Sequence, residues 1–78
     1  MAEFFLVNKL GEIVKLNKGI PTEQVNELLG KEYKVIPSDR QDEDKRMYSF
    51  GNNDMTRHVY KVLIRGGVLE WVMKTSQY

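Results

Sequence analysis

Two consecutive glycines, Gly66 and Gly67, separate two stretches that alternate between apolar and polar residues. A two-residue turn needs backbone conformations with positive φ, which glycine adopts without steric cost. The doublet therefore predicts an antiparallel hairpin of residues 58–64 and 68–73, with Arg65 facing Val68. This feature restricts the fold more than any other, because the pairing assigns every side chain of both strands to one of two faces.

The predicted pairing gives this C-terminal hairpin one core face and one half-charged face. The core face collects large apolar side chains, with His58 at its end: Tyr60, Val62, Ile64, Leu69, Trp71 and Met73. The other face sets a charge beside an aliphatic group in each cross-strand couple: Arg65 with Val68, Leu63 with Glu70, Lys61 with Val72 and Val59 with Lys74. Such a face is more apolar than contact with water alone requires.

A second hairpin is predicted near the N-terminus, where apolar runs flank a turn. Asn8 and Gly11 suit a type I turn whose glycine takes positive φ. The register stays open, since a three-residue loop pairs Phe5 with Ile13 and a four-residue loop pairs Phe5 with Val14. Either register leaves apolar side chains on both sides, so we expect this hairpin to be covered on two sides.

The middle of the chain predicts one short helix. Thr22 is a candidate N-cap, and Gly30 suits the position just after the last helical residue. The single apolar stripe of the helix consists of Val25, Leu28 and Leu29. A helix of about eight residues is not stable alone, so it must lie on a sheet.

Strands are predicted at 33–36 and 47–50, on either side of a long polar segment. Residues 38–46 contain no apolar side chain, and all but one of them are charged or amide residues. This composition predicts a mobile polar loop at 38–46.

The order β-β-α-β-β-β-β predicts one α+β domain over residues 1–78, built on a mainly antiparallel, strongly coiled sheet of five to six strands. Five strands span about 24 Å, whereas a helix is about 10 Å wide and covers only about two of them. The sheet must therefore coil onto itself, or a second molecule must supply the missing layer, so the chain is a monomer or a homodimer.

Composition argues against an enzyme and against a bound cofactor or metal ion. The chain has one histidine and no cysteine, and its glycines have no phosphate-loop spacing. The acidic run in 39–44 lacks the glycine and the closing acid of an EF-hand, and nearby basic residues neutralise it. A chain without cysteine, signal peptide or apolar span is expected in the cytoplasm and not in a membrane.

The function that remains is binding. We predict a non-enzymatic, cytoplasmic accessory protein that docks on a protein partner, possible roles being those of an inhibitor or modulator of bacterial or bacteriophage origin. The predicted docking face comprises Lys61, Leu63, Arg65, Glu70 and Val72, with Arg40, Asp42 and Asp44 as its rim.

The alternative hypothesis is binding of single-stranded nucleic acid or RNA. The basic residues that would contact phosphates are Arg57, Lys61, Arg65 and Lys74. Aromatic side chains would have to stack on the bases of the same strand. The predicted register opposes this hypothesis, because it puts Tyr60 and Trp71 on the face opposite the basic residues.

Overall fold

The computed structural model of the chain describes residues 2–51 and 58–75. Its elements are β1 (Glu3–Val7), β2 (Ile13–Asn17), α1 (Thr22–Leu29), β3 (Lys34–Ile36), β4 (Glu43–Phe50), β5 (His58–Arg65) and β6 (Val68–Thr75). All strand pairs are antiparallel. The predicted α+β class and the order of the elements are confirmed.

The strands form two sheets, where the sequence predicted one continuous coiled sheet. β1 pairs with β2, and the other four strands lie in the order β3-β4-β5-β6. Side chains of β1, β2 and α1 share one buried cluster with side chains of β4, β5 and β6: Leu6, Leu16, Val25, Leu29, Tyr48, Phe50, Tyr60, Val62, Ile64 and Leu69. The first hairpin and the helix together therefore cover one face of the four-stranded sheet, which we call the core face.

The first hairpin has a register that neither predicted loop length gives. Phe5 faces Lys15, because five residues separate the paired ends of β1 and β2. Asn8 sets this spacing: its carbonyl accepts from Gly11 N–H at 3.0 Å, and its side-chain Oδ1 accepts from the N–H groups of Leu10 and Glu12 at 2.9 Å. The type I turn with a positive-φ glycine is confirmed, but both predicted pairings are wrong.

The observed register gives the hairpin one buried side and one open side. Leu6 and Leu16 belong to the core cluster, whereas Phe5 is 62% exposed and Ile13 is 75% exposed. The expectation that the hairpin is covered on two sides is therefore wrong for the residues that the structure describes.

The helix has the predicted length and a different N-terminal contact. Thr22 is its first residue and not its N-cap, and the Thr22 hydroxyl donates to the carbonyl of Gly67 at 3.1 Å. This bond attaches the start of α1 to the turn between β5 and β6. At the other end Gly30 has φ of 83° and its N–H donates to Asn26 O, as the predicted C-terminal glycine should.

The polar segment between β3 and β4 is shorter than predicted. β4 begins at Glu43, so 43–46 of the predicted 38–46 loop belong to a strand that pairs with β5. The composition was misleading because two of these charged side chains have partners on other elements. Glu43 binds Arg65, and Arg46 binds Asn26.

The turn between β5 and β6 matches its prediction. Arg65 faces Val68, and Gly66 and Gly67 have φ of 61° and 82°. Positive φ at both central residues is the type I′ geometry that suits the twist of a two-residue hairpin.

Beyond the turn, β6 contains a bulge that the sequence analysis did not predict. Ile64 faces Leu69, but Leu63 faces Trp71, so Glu70 is an extra residue in β6. The remaining observed pairs are Val62 with Val72, Lys61 with Met73, Tyr60 with Lys74 and Val59 with Thr75. The predicted pairs Leu63 with Glu70, Lys61 with Val72 and Val59 with Lys74 are therefore wrong by one position.

The bulge exchanges the faces of the residues that follow it. Trp71 and Met73 were predicted to be in the core, but they lie beside Leu63 and Lys61 on the opposite face of the sheet. Val72 was predicted for the docking face, but it packs against the core cluster. An extra residue has this effect because side chains along a strand alternate with a period of two.

Candidate docking surface

The face of the four-stranded sheet that points away from the helix carries alternating lysine and apolar side chains. Two rows of cross-strand neighbours define this outer face: Ile36, Lys45, Leu63 and Trp71 in one row, and Lys34, Met47, Lys61 and Met73 in the other. Each row takes one residue from each strand. Positive charge and apolar surface are therefore interleaved across the whole width of the sheet.

The three lysines of the outer face form no ion pair with any residue that the structure describes. Among residues 2–51 and 58–75, no carboxylate lies within ion-pair distance of the ammonium groups of Lys34, Lys45 or Lys61. These three charges are therefore available to a ligand that approaches the sheet.

The apolar side chains of the outer face differ in burial. Leu63 lies in the middle strand pair and is only 3% exposed, whereas Trp71 is half-buried and Met73 is 54% exposed. Leu63 has Lys45 and Trp71 as cross-strand neighbours, and the aliphatic stem of a lysine can cover such a side chain while its charge stays in water. Trp71 and Met73 supply apolar surface next to the lysine side chains of the outer face.

An ion pair closes one end of the outer face. Arg65 Nη2 lies 2.6 Å from Glu43 Oε2, and Ser38 donates a hydrogen bond to the other carboxylate oxygen at 2.7 Å. The hydrogen bond from Arg65, followed by that from Ser38, lowers the pKa of Glu43 below its ordinary value of 4.5. The charge of Arg65 is therefore already compensated.

The structure brings together only part of the predicted docking face. Lys61, Leu63 and Arg65 lie on the outer face, but Leu63 is buried and Arg65 is paired. Val72 belongs to the core side. Glu70 is the bulged residue at the sheet edge, and its carboxylate lies 3.7 Å from Lys18 Nζ.

Asp42 of the predicted rim adjoins the turn at one end of that face, where its carbonyl accepts from Gly66 N–H at 2.9 Å. Arg40 and Asp42 pair with each other at 3.3 Å in the loop before β4. Asp44 pairs with the core-face residue Arg46 at 2.8 Å. These side chains form local pairs within two residues along the chain, and their role as a rim stays a prediction.

The basic residues of the nucleic-acid alternative are dispersed as well. Lys74 faces Tyr60 on the core side of β6, Arg65 is paired with Glu43, and Arg57 lies outside the described residues. Lys61 remains available. The geometric objection to this alternative still holds for Tyr60, which is in the core, but not for Trp71, because the bulge puts Trp71 on the same face as Lys61.

Sequence reasoning missed Lys34, Lys45, Met47, Trp71 and Met73 as outer-face residues. The alternation of Tyr48 and Phe50 on the core face, continued backward into 43–47, would have assigned Lys45 and Met47. No comparable signal indicates the face of Trp71, since its position depends on the bulge.

Among the residues that the structure describes, the core face holds one buried charged side chain, that of Arg46, which is 3% exposed. Its guanidinium donates to Asn26 Oδ1 at 2.7 Å and to Tyr48 Oη at 3.0 Å, and it lies 4.2 Å from the centre of the Tyr33 ring. Burial disfavours its charged form, but hydrogen bonds to Asp44 and Tyr48 outweigh burial and raise the pKa of Arg46. This network joins α1 to the sheet.

The described part of the chain offers little else for chemistry. An open groove of about 310 Å³ lies between the β1–β2 loop and the end of α1, with Leu10, Leu28 and Phe50 in its wall. Within 2–51 and 58–75, no three metal-ligating side chains come together. The one helix in these ranges is too short and too polar to cross a membrane.

Comparison with family models, with curated proteins and with solved structures finds no match to this chain. The outer face therefore has to be interpreted from its own geometry.

Proposed function

We propose that the protein is a non-enzymatic binding module that docks through its outer face on an acidic partner protein. The observation that supports this proposal is the juxtaposition of the half-buried Trp71 and the exposed Met73 with three lysines that form no ion pair among residues 2–51 and 58–75. Tryptophan and methionine are enriched in protein interfaces, and complementary charge speeds association and selects the partner. Docking without catalysis suits an inhibitor or modulator.

The partner that fits this face carries carboxylates around an apolar patch. Lysines alternate with apolar groups on the outer face, so each carboxylate of such a partner would lie next to an apolar contact. Aliphatic side chains and methionines supply most of the apolar surface here, and they contact other aliphatic groups better than they stack on bases.

Capture from a lysate of the native organism tests the proposal. The bait is the wild type, the double variant Lys45→Glu/Lys61→Glu, or the matched control Lys15→Glu/Lys31→Glu, whose positions lie outside the outer face. We expect an acidic protein that binds the wild type and the control but is lost with the first variant. With that protein purified, affinity should fall by about tenfold or more for the face variant.

Equal binding of all three baits by the purified partner would contradict the proposal. Folding of each variant is checked by thermal unfolding, because loss of binding counts only if the protein is folded.

A second candidate function is supported by one observation, the position of Trp71 beside Lys45 and Lys61 on one face. That arrangement allows one base to stack while lysines contact phosphates. Trp71 is the only tryptophan of the chain, so its fluorescence reports this site alone. Quenching by a single-stranded oligonucleotide at low salt, with an affinity that falls steeply as salt rises, would favour nucleic acid over protein.

A further inference from the structure

We propose that two copies of the chain pair face to face through the open side of the first hairpin, about a two-fold axis parallel to β1 and β2. The pairing does not involve the outer face and is independent of the partner proposed there. Three properties of the open side support it: exposed apolar side chains, balanced charge, and a match between its two strands.

Alternate residues of β1 and β2 form the open side, because the residues between them pack against the core cluster. Leu6 and Leu16 are buried in that cluster, and Phe4 and Val14 pack against it. The open side therefore consists of the remaining residues of the two strands: Glu3, Phe5, Val7, Ile13, Lys15 and Asn17.

The apolar side chains of the open side form one patch that water reaches. Phe5 is 62% exposed and Ile13 is 75% exposed, and Val7, which faces Ile13 across the strands, is partly buried. Single apolar residues on a surface are ordinary, whereas a contiguous apolar patch indicates an interaction site. These three side chains are neighbours along β1 or across the strand pair, so they form such a patch.

The charges of the open side favour a second copy as the occupant. Its two charged side chains are Glu3 and Lys15, and the carboxylate of one lies 3.1 Å from the ammonium of the other. The open side therefore has no net charge, so it neither repels a second copy nor attracts a partner of one charge. On the outer face, by contrast, two copies would bring together lysines that form no ion pair among the described residues, and would repel each other.

The two strands of the open side complement each other under a two-fold rotation. An axis parallel to the strands places β1 of each copy over β2 of the other. Residues that face each other within one hairpin then also meet across the two copies, so Val7 meets Ile13 and Phe5 meets Lys15, each twice. The first contact is apolar, and the second places an ammonium group over an aromatic ring, which is favourable.

The size of the open side indicates a weak dimer. β1 and β2 have five residues each, so the strand pair measures about 17 by 10 Å. Each partner in a standard interface contributes about 800 Å², and the open side offers much less than that. We therefore expect a dissociation constant on the order of 100 μM.

Pairing would leave each outer face free to bind its partner. The first hairpin lies on the core face of the four-stranded sheet, so the open side and the outer face point in opposite directions. The dimer would have the layers sheet, hairpin, hairpin and sheet, with one outer face at each end. Loss of pairing should therefore leave the affinity of one chain for an acidic partner unchanged.

Sedimentation velocity at concentrations up to about 1 mM tests the pairing. Wild type should shift reversibly from 9.1 kDa toward about twice that mass as concentration rises. Ile13→Glu places a carboxylate in both contacts with Val7 and should weaken dimerisation at least about tenfold. Val35→Glu is the matched control, since Val35 is a β-branched strand residue that is 72% exposed and lies in β3, and it should leave dimerisation unchanged.

A mixture of Ile13→Glu and Val7→Lys tests the register. In the mixed dimer the introduced carboxylate would meet the introduced ammonium group, and the other contact would remain that of Val7 with Ile13. The mixture should therefore dimerise more tightly than either variant alone. Val7→Lys keeps the bond from the backbone N–H of this residue to Tyr60 Oη, and thermal unfolding checks that both variants are folded.

Nuclear Overhauser effects between labelled and unlabelled copies of the wild type give a readout that needs no variant. They should connect the methyl groups of Val7 and Ile13 in different copies. The proposal would be overturned by a wild type that stays at 9.1 kDa up to about 1 mM, by equal dimerisation of Ile13→Glu, or by a mixture no tighter than its components.

Discussion

The two faces of the four-stranded sheet bury adjacent residues of β5 by different means. Ile64 is 2% exposed and belongs to the cluster beneath the helix and the first hairpin. Leu63 is 3% exposed on the outer face, where no second layer of described residues lies and where its cross-strand neighbours are Lys45 and Trp71. Ile64 and Leu63 are therefore equally inaccessible to water, but only Ile64 belongs to the core cluster.

The difference separates the part of the molecule that stabilises the fold from the part available for binding. On the core face even a charged side chain, that of Arg46, is held by hydrogen bonds to Asn26 and Tyr48 and by an ion pair with Asp44. On the outer face Lys34, Lys45 and Lys61 have no ion-pair partner among the described residues, and their flexible stems can be rearranged. A partner could thus occupy the outer face without disturbing the core.

Ile64→Ala and Leu63→Ala compare the two faces with isomeric side chains at adjacent positions. We expect Ile64→Ala to lower the free energy of unfolding by about 4 kcal/mol, because its well-packed surroundings leave a cavity. Leu63→Ala should cost about 2 kcal/mol, because Lys45, Trp71 and water can fill the space. Urea unfolding of both variants gives the difference, and equal losses would show that the outer face is packed as firmly as the core.

Arg46→Met and Lys45→Met make the same comparison for cations on β4. Arg46→Met removes the partner of Asn26 and Tyr48 inside the protein, and we expect a loss of about 3 kcal/mol. Lys45→Met should change the free energy of unfolding by no more than about 0.5 kcal/mol, since no ion pair of Lys45 is present in 2–51 or 58–75. A larger loss for Lys45→Met than for Arg46→Met, in the same denaturant titration, would contradict the assignment of faces.

Local turn chemistry made the order of elements predictable from the sequence. Gly11, Gly30 and the Gly66–Gly67 doublet all occupy positions with positive φ, where the identity of one residue decides the conformation. The first residue of a strand was harder to predict where it depends on contacts with residues far away in the sequence. Arg46 looked like a loop residue because its partners, Asn26 and Tyr33, come from other parts of the chain.

The outer face could be predicted only in part, for a similar reason. Lys61 and Leu63 were assigned to one face correctly, since their strand is regular. Trp71 and Val72 were assigned to the wrong faces because a bulge is one extra residue without a distinctive sequence signal. The alternating pattern of β6 even favoured the wrong register, since it groups Leu69 with Trp71 on one apolar face.

Deletion of Glu70 tests this register directly and should have the smallest effect. If Glu70 is the extra residue, its removal joins Leu69 to Trp71, restores a regular ladder, and leaves Trp71 opposite Leu63. The free energy of unfolding should then change by no more than about 1 kcal/mol, since no later side chain changes face. If β6 had no bulge, the same deletion would reverse every later side chain and move Lys74 to the opposite face of the sheet. Unfolding by urea, followed through the fluorescence of Trp71, distinguishes these outcomes, and a loss of several kcal/mol would reject the bulge and the outer face defined from it.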